Sequence, residues 1–300
     1  MKNPLNMKFA LYFILGLIQI CSTLSAQEKM LLYPNGPKES NGITDPETLV
    51  RADFVSKISV PRMYFYPAPK EKANGTAVLI CPGGGYSGVS VVKEGEEIAK
   101  WFNDLGVTAF ILYYRMPNGN SNIPLKDAQT ALRIIRNSAV KWNLNKNKIG
   151  IMGFSAGGHL ASTVGTHFKN WIQRPDFMIL GYPVVTMNKD STHLGSRENL
   201  LGKYPSAKLV KHYSNELQVT EKTPPTFIVH AIDDRAVPIF NSTQLLSALQ
   251  EKKIKAELHT FEVGGHGFGM RPRGIPVDFW PDLLKAWLLK NELIPAELIK

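Results

Sequence analysis

The chain has 300 residues, 44% of them hydrophobic, with two cysteines and a formal charge of +10. That length and apolar content allow one large α/β domain, or two small ones, around a substantial core. The basic residues are scattered rather than gathered with aromatics, so they read as solvated surface and not as a nucleic-acid site. No Cys/His grouping has zinc spacing, and no calcium loop is present.

Residues 1–26 read as a secretory signal peptide. Lys2 and Lys8 make a basic start, 9–20 is a short apolar run, and Ser22-Thr23-Leu24-Ser25-Ala26 supplies small residues before a cleavage position at Ala26. The apolar run is too short for a comfortable membrane span, and no later segment is long and apolar enough for one. Cleavage near Ala26 predicts a secreted or periplasmic chain. It also removes Cys21, which leaves Cys81 as the one cysteine of the mature chain and excludes an internal disulfide.

The mature chain, 27–300, is expected to form a single domain. Residues 27–60 are rich in turn formers and predict a loose segment leading to an early strand near 58–66. Short apolar runs at 76–81, 107–113, 148–152, 177–182, 226–231 and 257–262 predict strands, most of them buried on both faces. Helical patterns fall between them, at 93–105, 124–142, 156–168, 240–252 and 281–293. The alternation predicts an α/β fold with a mostly parallel central sheet and helices on both faces. Residues 183–225 break the rhythm and predict an excursion over the strand ends, with a short helix near 206–213.

Four signals carry chemistry, each at a predicted strand end. Gly153-Phe154-Ser155-Ala156-Gly157 has the G-x-S-x-G pattern of a nucleophile elbow, between a strand and a helix. A serine hydroxyl needs a base and an acid to orient that base, and in this arrangement the chain order is serine, acid, histidine. After 226–231 come Asp233 and Asp234, either of which can supply the acid; Asp233 also fits a turn cap. After 257–262 comes Gly264-Gly265-His266-Gly267, a histidine in a glycine loop that core packing does not explain. His159 and His259 fit hydrogen-bonded structural roles. Pro82-Gly83-Gly84-Gly85-Tyr86 can aim backbone N–H groups at one point. Gly84 and Gly85, with Ala156, are the candidate oxyanion donors. A phosphate-binding reading of that loop lacks both a following Gly-Lys-Ser/Thr and an acid at the next strand end.

The chain resembles the bacterial carbohydrate-esterase branch of the α/β-hydrolases, which includes acetyl xylan esterase-like and feruloyl esterase-like proteins. The resemblance is carried by residues 82–86, Tyr114-Arg115, 127–136, 149–160, 230–238 and 264–269, and it covers most of 30–295. Pro82 replaces the first histidine of the related His-Gly-Gly-Gly loop, so the chain is of the Pro-Gly-Gly-Gly-Tyr type. The resemblance favours Asp234 over Asp233, through its spacing to Val237-Pro238. It implies hydrolysis of acetyl or other short acyl esters on plant carbohydrates by Ser155, His266 and Asp234, with no metal or organic cofactor. No carboxylate pair for glycosidic cleavage is implied. Two alternatives stand beside it. A serine peptidase of the prolyl-oligopeptidase type shares the triad order but usually carries a large propeller, for which this chain has no room. A non-catalytic glycan-binding protein on the same scaffold would use exposed aromatics such as Tyr204 or Tyr213. Oligomeric state is not written in these features.

Overall fold

A computed structural model describes residues 28–299. The expected signal peptide and Cys21 lie outside the described residues. The apolar runs form strands β5 (Ala77–Cys81), β7 (Thr108–Tyr113), β8 (Ile149–Phe154), β9 (Met178–Gly181) and β10 (Thr226–Ala231), in which every residue is buried. Successive side chains of a strand point to opposite faces, so burial without alternation means that both faces of this sheet are covered.

The large sheet has eight strands in the order β1-β4-β7-β5-β8-β9-β10-β11. β1 (Glu28–Leu31) and β4 (Arg62–Tyr66) pair antiparallel, as do β4 and β7, and all other neighbours are parallel. The parallel strands are joined by helices α1 (Glu97–Asp104), α2 (Asn122–Asn137), α3 (Ser155–Thr166) and α6 (Phe240–Glu251), and α7 (Trp280–Lys290) follows the last strand. β11 (Ala256–Phe261) is the outermost strand and is only partly buried, which fits its polar sequence.

Some bounds differ from those the sequence predicts. α2 starts at Asn122 rather than 124, because Pro124 is tolerated in a first turn whose N–H groups have no intrahelical partner. The helix expected at 93–105 opens with a π turn, Val92–Glu96, before α1. The segment 27–60 is less loose than its turn formers suggest. It contributes β1 and two short strands, β2 (Thr48–Arg51) and β3 (Phe54–Ser56), which form a three-stranded sheet with β6 (Gly88–Ser90). Strands of three or four residues are too short to show a period. The excursion 183–225 contains α4 (Leu194–Leu201) and α5 (Ala207–Tyr213).

Register sets what meets at the sheet's carboxyl edge. Cys81 of β5 lies beside Gly153 of β8, Phe154 beside Gly181, and Ala231 of β10 beside Phe261 of β11. The four segments with chemical signals therefore follow β5, β8, β10 and β11 at one edge of the sheet, the general location of ligand sites in open α/β sheets.

Candidate active site

The elbow is tighter than the sequence suggests. β8 runs to Phe154 and α3 begins at Ser155, with no loop between them. The reversal is made by Ser155 itself, at φ 52°. A non-glycine residue held there costs roughly 1–3 kcal/mol, which the surrounding packing must offset. The flanking glycines are steric necessities. A Cβ on Gly153 would lie 2.1 Å from the Gly157 oxygen, and one on Gly157 would lie 2.0 Å from the Cys81 oxygen.

Ser155 Oγ lies 2.9 Å from His266 Nε2, and His266 Nδ1 lies 2.7 Å from Asp234 Oδ2. The carboxylate accepts, so Nδ1 carries the proton and Nε2 is left to accept from the serine hydroxyl. Asp234 also accepts at Oδ1 from the N–H groups of Ala236 and Val237, both at 2.9 Å. Burial pushes its carboxyl up, but the hydrogen bonds of His230 and His266, the charge of His266 and the Val237 N–H outweigh it and hold the group well below the carboxylate range. The His266 side chain remains 27% exposed, open to the cleft.

Asp233 has a different place. Its Oδ1 accepts from the N–H groups of Gly264 and Gly265, at 2.8 and 2.6 Å, and so anchors the histidine loop. His159 is fully buried, with Nε2 donating to the Tyr213 carbonyl and Nδ1 accepting from the Tyr86 hydroxyl, each at 2.8 Å. His259 sits 3.3 Å from Glu257 in β11 and stacks on Phe227. Tyr213 is buried and donates to Asn122, so it is a core residue and not a surface for stacking sugars. Tyr204 is exposed but does not line the cleft.

The glycine loop is held from several sides. The Gly83 N–H donates to Glu94 Oε2 at 2.7 Å, the Pro82 carbonyl accepts from Tyr114 at 2.8 Å, and the Gly85 carbonyl accepts from Asn199 Nδ2 at 2.8 Å. Gly83 is thus committed, whereas the N–H groups of Gly84, Gly85 and Ala156 have no such commitment among the described residues. Gly83, Gly84, Gly85 and Ser155 line a cleft of about 380 Å³ with Arg51, Asp53, Phe54, Lys93, His193 and His266.

Three polar residues here escape a reading by sequence alone. Glu94 is buried. Its second oxygen accepts from the Tyr182 hydroxyl at 2.7 Å, and the Tyr182 ring lies edge-on to His266. Burial pushes its carboxyl up, against the pull of Tyr182, Lys93 and the Gly83 N–H. A signal was available: Glu94 lies four residues before Ile98, on the apolar face that continues through Phe102. His230, buried in β10, lies 3.2 Å from Asp234 Oδ2 and 3.0 Å from the Val237 carbonyl through Nε2. The carbonyl can only accept, so Nε2 carries the proton, and the Asp234 oxygen that holds His266 also receives His230. His193 comes from the excursion and had no motif to mark it. Among the described residues no group of three or more His, Cys, Asp or Glu is placed to hold a metal ion.

The BD-FAE family model matches residues 63–249. The chain belongs to the BD-FAE family. The matched range includes Ser155 and Asp234; His266 lies beyond it. An acetylxylan esterase of Xylanibacter ruminicola is 42% identical over 203 residues, which are 66% of this chain and 42% of that protein. An endo-1,4-beta-xylanase B of Butyrivibrio fibrisolvens is 36% identical over 222 residues, 69% of this chain and 34% of that one. The chain therefore spans less than half the length of either curated relative. Among solved structures, an acetyl ester-xyloside bifunctional hydrolase from Caldicellulosiruptor lactoaceticus is 34% identical with a TM-score of 0.77, covering 90% of this chain and 98% of that one. This BD-FAE chain has the α/β-hydrolase fold.

Proposed function

We propose that this chain is a serine carboxylic-ester hydrolase that removes short acyl groups, acetyl above all, from carbohydrate esters of plant polysaccharides. The observation that carries the reading is the unbroken relay from Ser155 Oγ through His266 to Asp234, at 2.9 and 2.7 Å. Ser155 attacks the ester carbonyl while His266 takes its proton. Charge on the carbonyl oxygen is met by the N–H groups of Gly84, Gly85 and Ala156. His266 then gives the proton to the leaving alcohol, and water attacks the acyl-enzyme by the same route. Asp234 fixes the ring and stabilises its charged form. The names of the similar proteins support the acetyl and xylan parts of this reading.

Ester cleavage is favoured over glycosidic cleavage by the state of the two cleft acids. Asp53 is held by Ser90 and by the N–H groups of Val92 and Lys93, and Glu94 by Gly83 and Tyr182. Neither is free to serve as one of the flanking acids that glycosidases use. We further propose export, with residues 1–26 removed; the mass of the chain recovered from outside the cytoplasm checks it.

The decisive experiment is acetate release from acetylated xylan by the purified chain, beside Ser155→Ala and a peptide substrate. Release that disappears in Ser155→Ala is the expected result. Turnover of aryl acetates without any release from xylan would discard the polysaccharide, and no turnover of any ester would discard the esterase.

A further inference from the structure

Among the cleft-wall donors that the relay and the glycine loop leave without a task, His193 is the one held in a fixed, neutral form. His193 is the N-cap of α4, and its Nδ1 accepts from the Ser196 N–H at 3.2 Å, with the Ser196 hydroxyl 2.8 Å away. A backbone N–H can only donate, so Nδ1 presents a lone pair, and the single proton of the neutral ring sits on Nε2. Protonating Nδ1 as well would set two N–H groups against each other. Burial and the neighbouring His266 both hold the His193 ring below its ordinary range, against a smaller opposite pull from Asp234.

The ring is held firmly against the glycine loop. Asn199 of α4 donates to the Gly85 carbonyl, its own carbonyl accepts from the Gly119 N–H, and Arg197 donates to the Met187 carbonyl. His193 lines the cleft with Ser155 and His266, and its Cε1 lies 3.7 Å from the position a Cβ on Gly85 would take. Among the described residues no protein acceptor meets Nε2.

We infer that His193 is a substrate-binding residue whose Nε2–H donates to an oxygen on the sugar side of the ester. This rests on the esterase reading. The acyl side offers nothing to such a donor: an acetyl group has one carbonyl oxygen, which the backbone N–H groups take, and a methyl group, which accepts nothing. A sugar presents hydroxyl and ring oxygens at nearly every carbon. A neutral, fixed donor suits neutral oxygens, and the arrangement makes the excursion a reader of the alcohol rather than of the acyl group.

The test uses His193→Asn, because asparagine keeps the cap through its own side-chain oxygen while removing the distal donor. The purified chain is assayed on acetylated xylo-oligosaccharides and on phenyl acetate, whose alcohol has no further oxygen. The ratio of kcat/KM for the sugar ester to that for phenyl acetate should fall about tenfold in His193→Asn, the loss of one neutral hydrogen bond, and the fall should lie in KM. An unchanged ratio, whether both substrates suffer equally or neither does, overturns the inference while leaving the esterase standing. A wild-type chain inert on both substrates overturns the esterase reading and the inference together.

Discussion

Glu94 is the buried strut between the glycine loop and Tyr182, and replacing it separates its two roles. In Glu94→Leu both the Gly83 N–H and the Tyr182 hydroxyl lose their acceptor at a fully buried position. A buried donor left unpaired costs about 1–3 kcal/mol, so the pair costs about 2–6 kcal/mol. A domain of ordinary stability has about 5–15 kcal/mol in all, so the loss is a large share of it. With a urea m-value of about 3 kcal/mol/M, the unfolding midpoint should fall by about 1–2 M. Glu94→Gln keeps an oxygen for the Gly83 N–H but faces Tyr182 with an amide, so it should lose about half as much. Activity should divide differently. The Gln variant keeps the loop anchored and should keep most of its kcat, whereas the Leu variant frees Gly83 beside the oxyanion donors and should lose most of it. Urea titration and ester hydrolysis on the three proteins measure both. A Leu variant that matches wild type in midpoint and kcat would refute the strut.

The other expectations follow from the same geometry. Asp234→Asn should keep the fold and lower kcat by about 10⁴, the loss seen when a triad histidine is held in the wrong tautomer; circular dichroism beside hydrolysis rates checks it. Gly157→Ala should fail to give folded protein or melt far below wild type, because its Cβ would lie 2.0 Å from the Cys81 oxygen in the middle of the sheet. Acid should destabilise the chain through its buried histidines. Burial lowers the His159 ring from 6.5 to about 4, so between those values the unfolded chain binds a proton that the native chain does not. Stability is then complete above about pH 6.5 and declines as pH falls towards 4, by about 3 kcal/mol from His159 alone, with His167 and His193 adding to the loss. Equal unfolding midpoints at pH 7 and 4.5 would contradict this.

The fold and the relay were legible because each rests on a local pattern. Buried parallel strands appear as continuous apolar runs, and a serine between two glycines, a histidine among glycines and a glycine triplet stand out at the ends of such runs. Choosing between Asp233 and Asp234 needed the resemblance. The structure puts Asp234 on His266 and gives Asp233 the histidine loop, a division made by a single turn after β10 that no period encodes. Supporting groups were harder to see. Glu94 stands in Lys93-Glu94-Gly95-Glu96-Glu97, which reads as solvated charge, and only its spacing of four to Ile98 sets apart the acid that goes inward. His230 is one polar residue in an apolar strand. His193 acquires its place from a helix docked on a loop more than 100 residues earlier in the chain, a relation without any local trace.

The two halves of the relay are anchored with unequal security. Ser155 springs from β8, which has strands on both sides, whereas His266 follows β11, the last strand, bonded along one side only. Edge units open at a lower free energy than the centre of a sheet. A brief detachment of β11 would carry the base away while leaving the serine, its elbow and the glycine loop intact. The relay is therefore expected to come apart reversibly below the temperature at which the core melts, so that the working range would follow the least secured strand rather than the global stability.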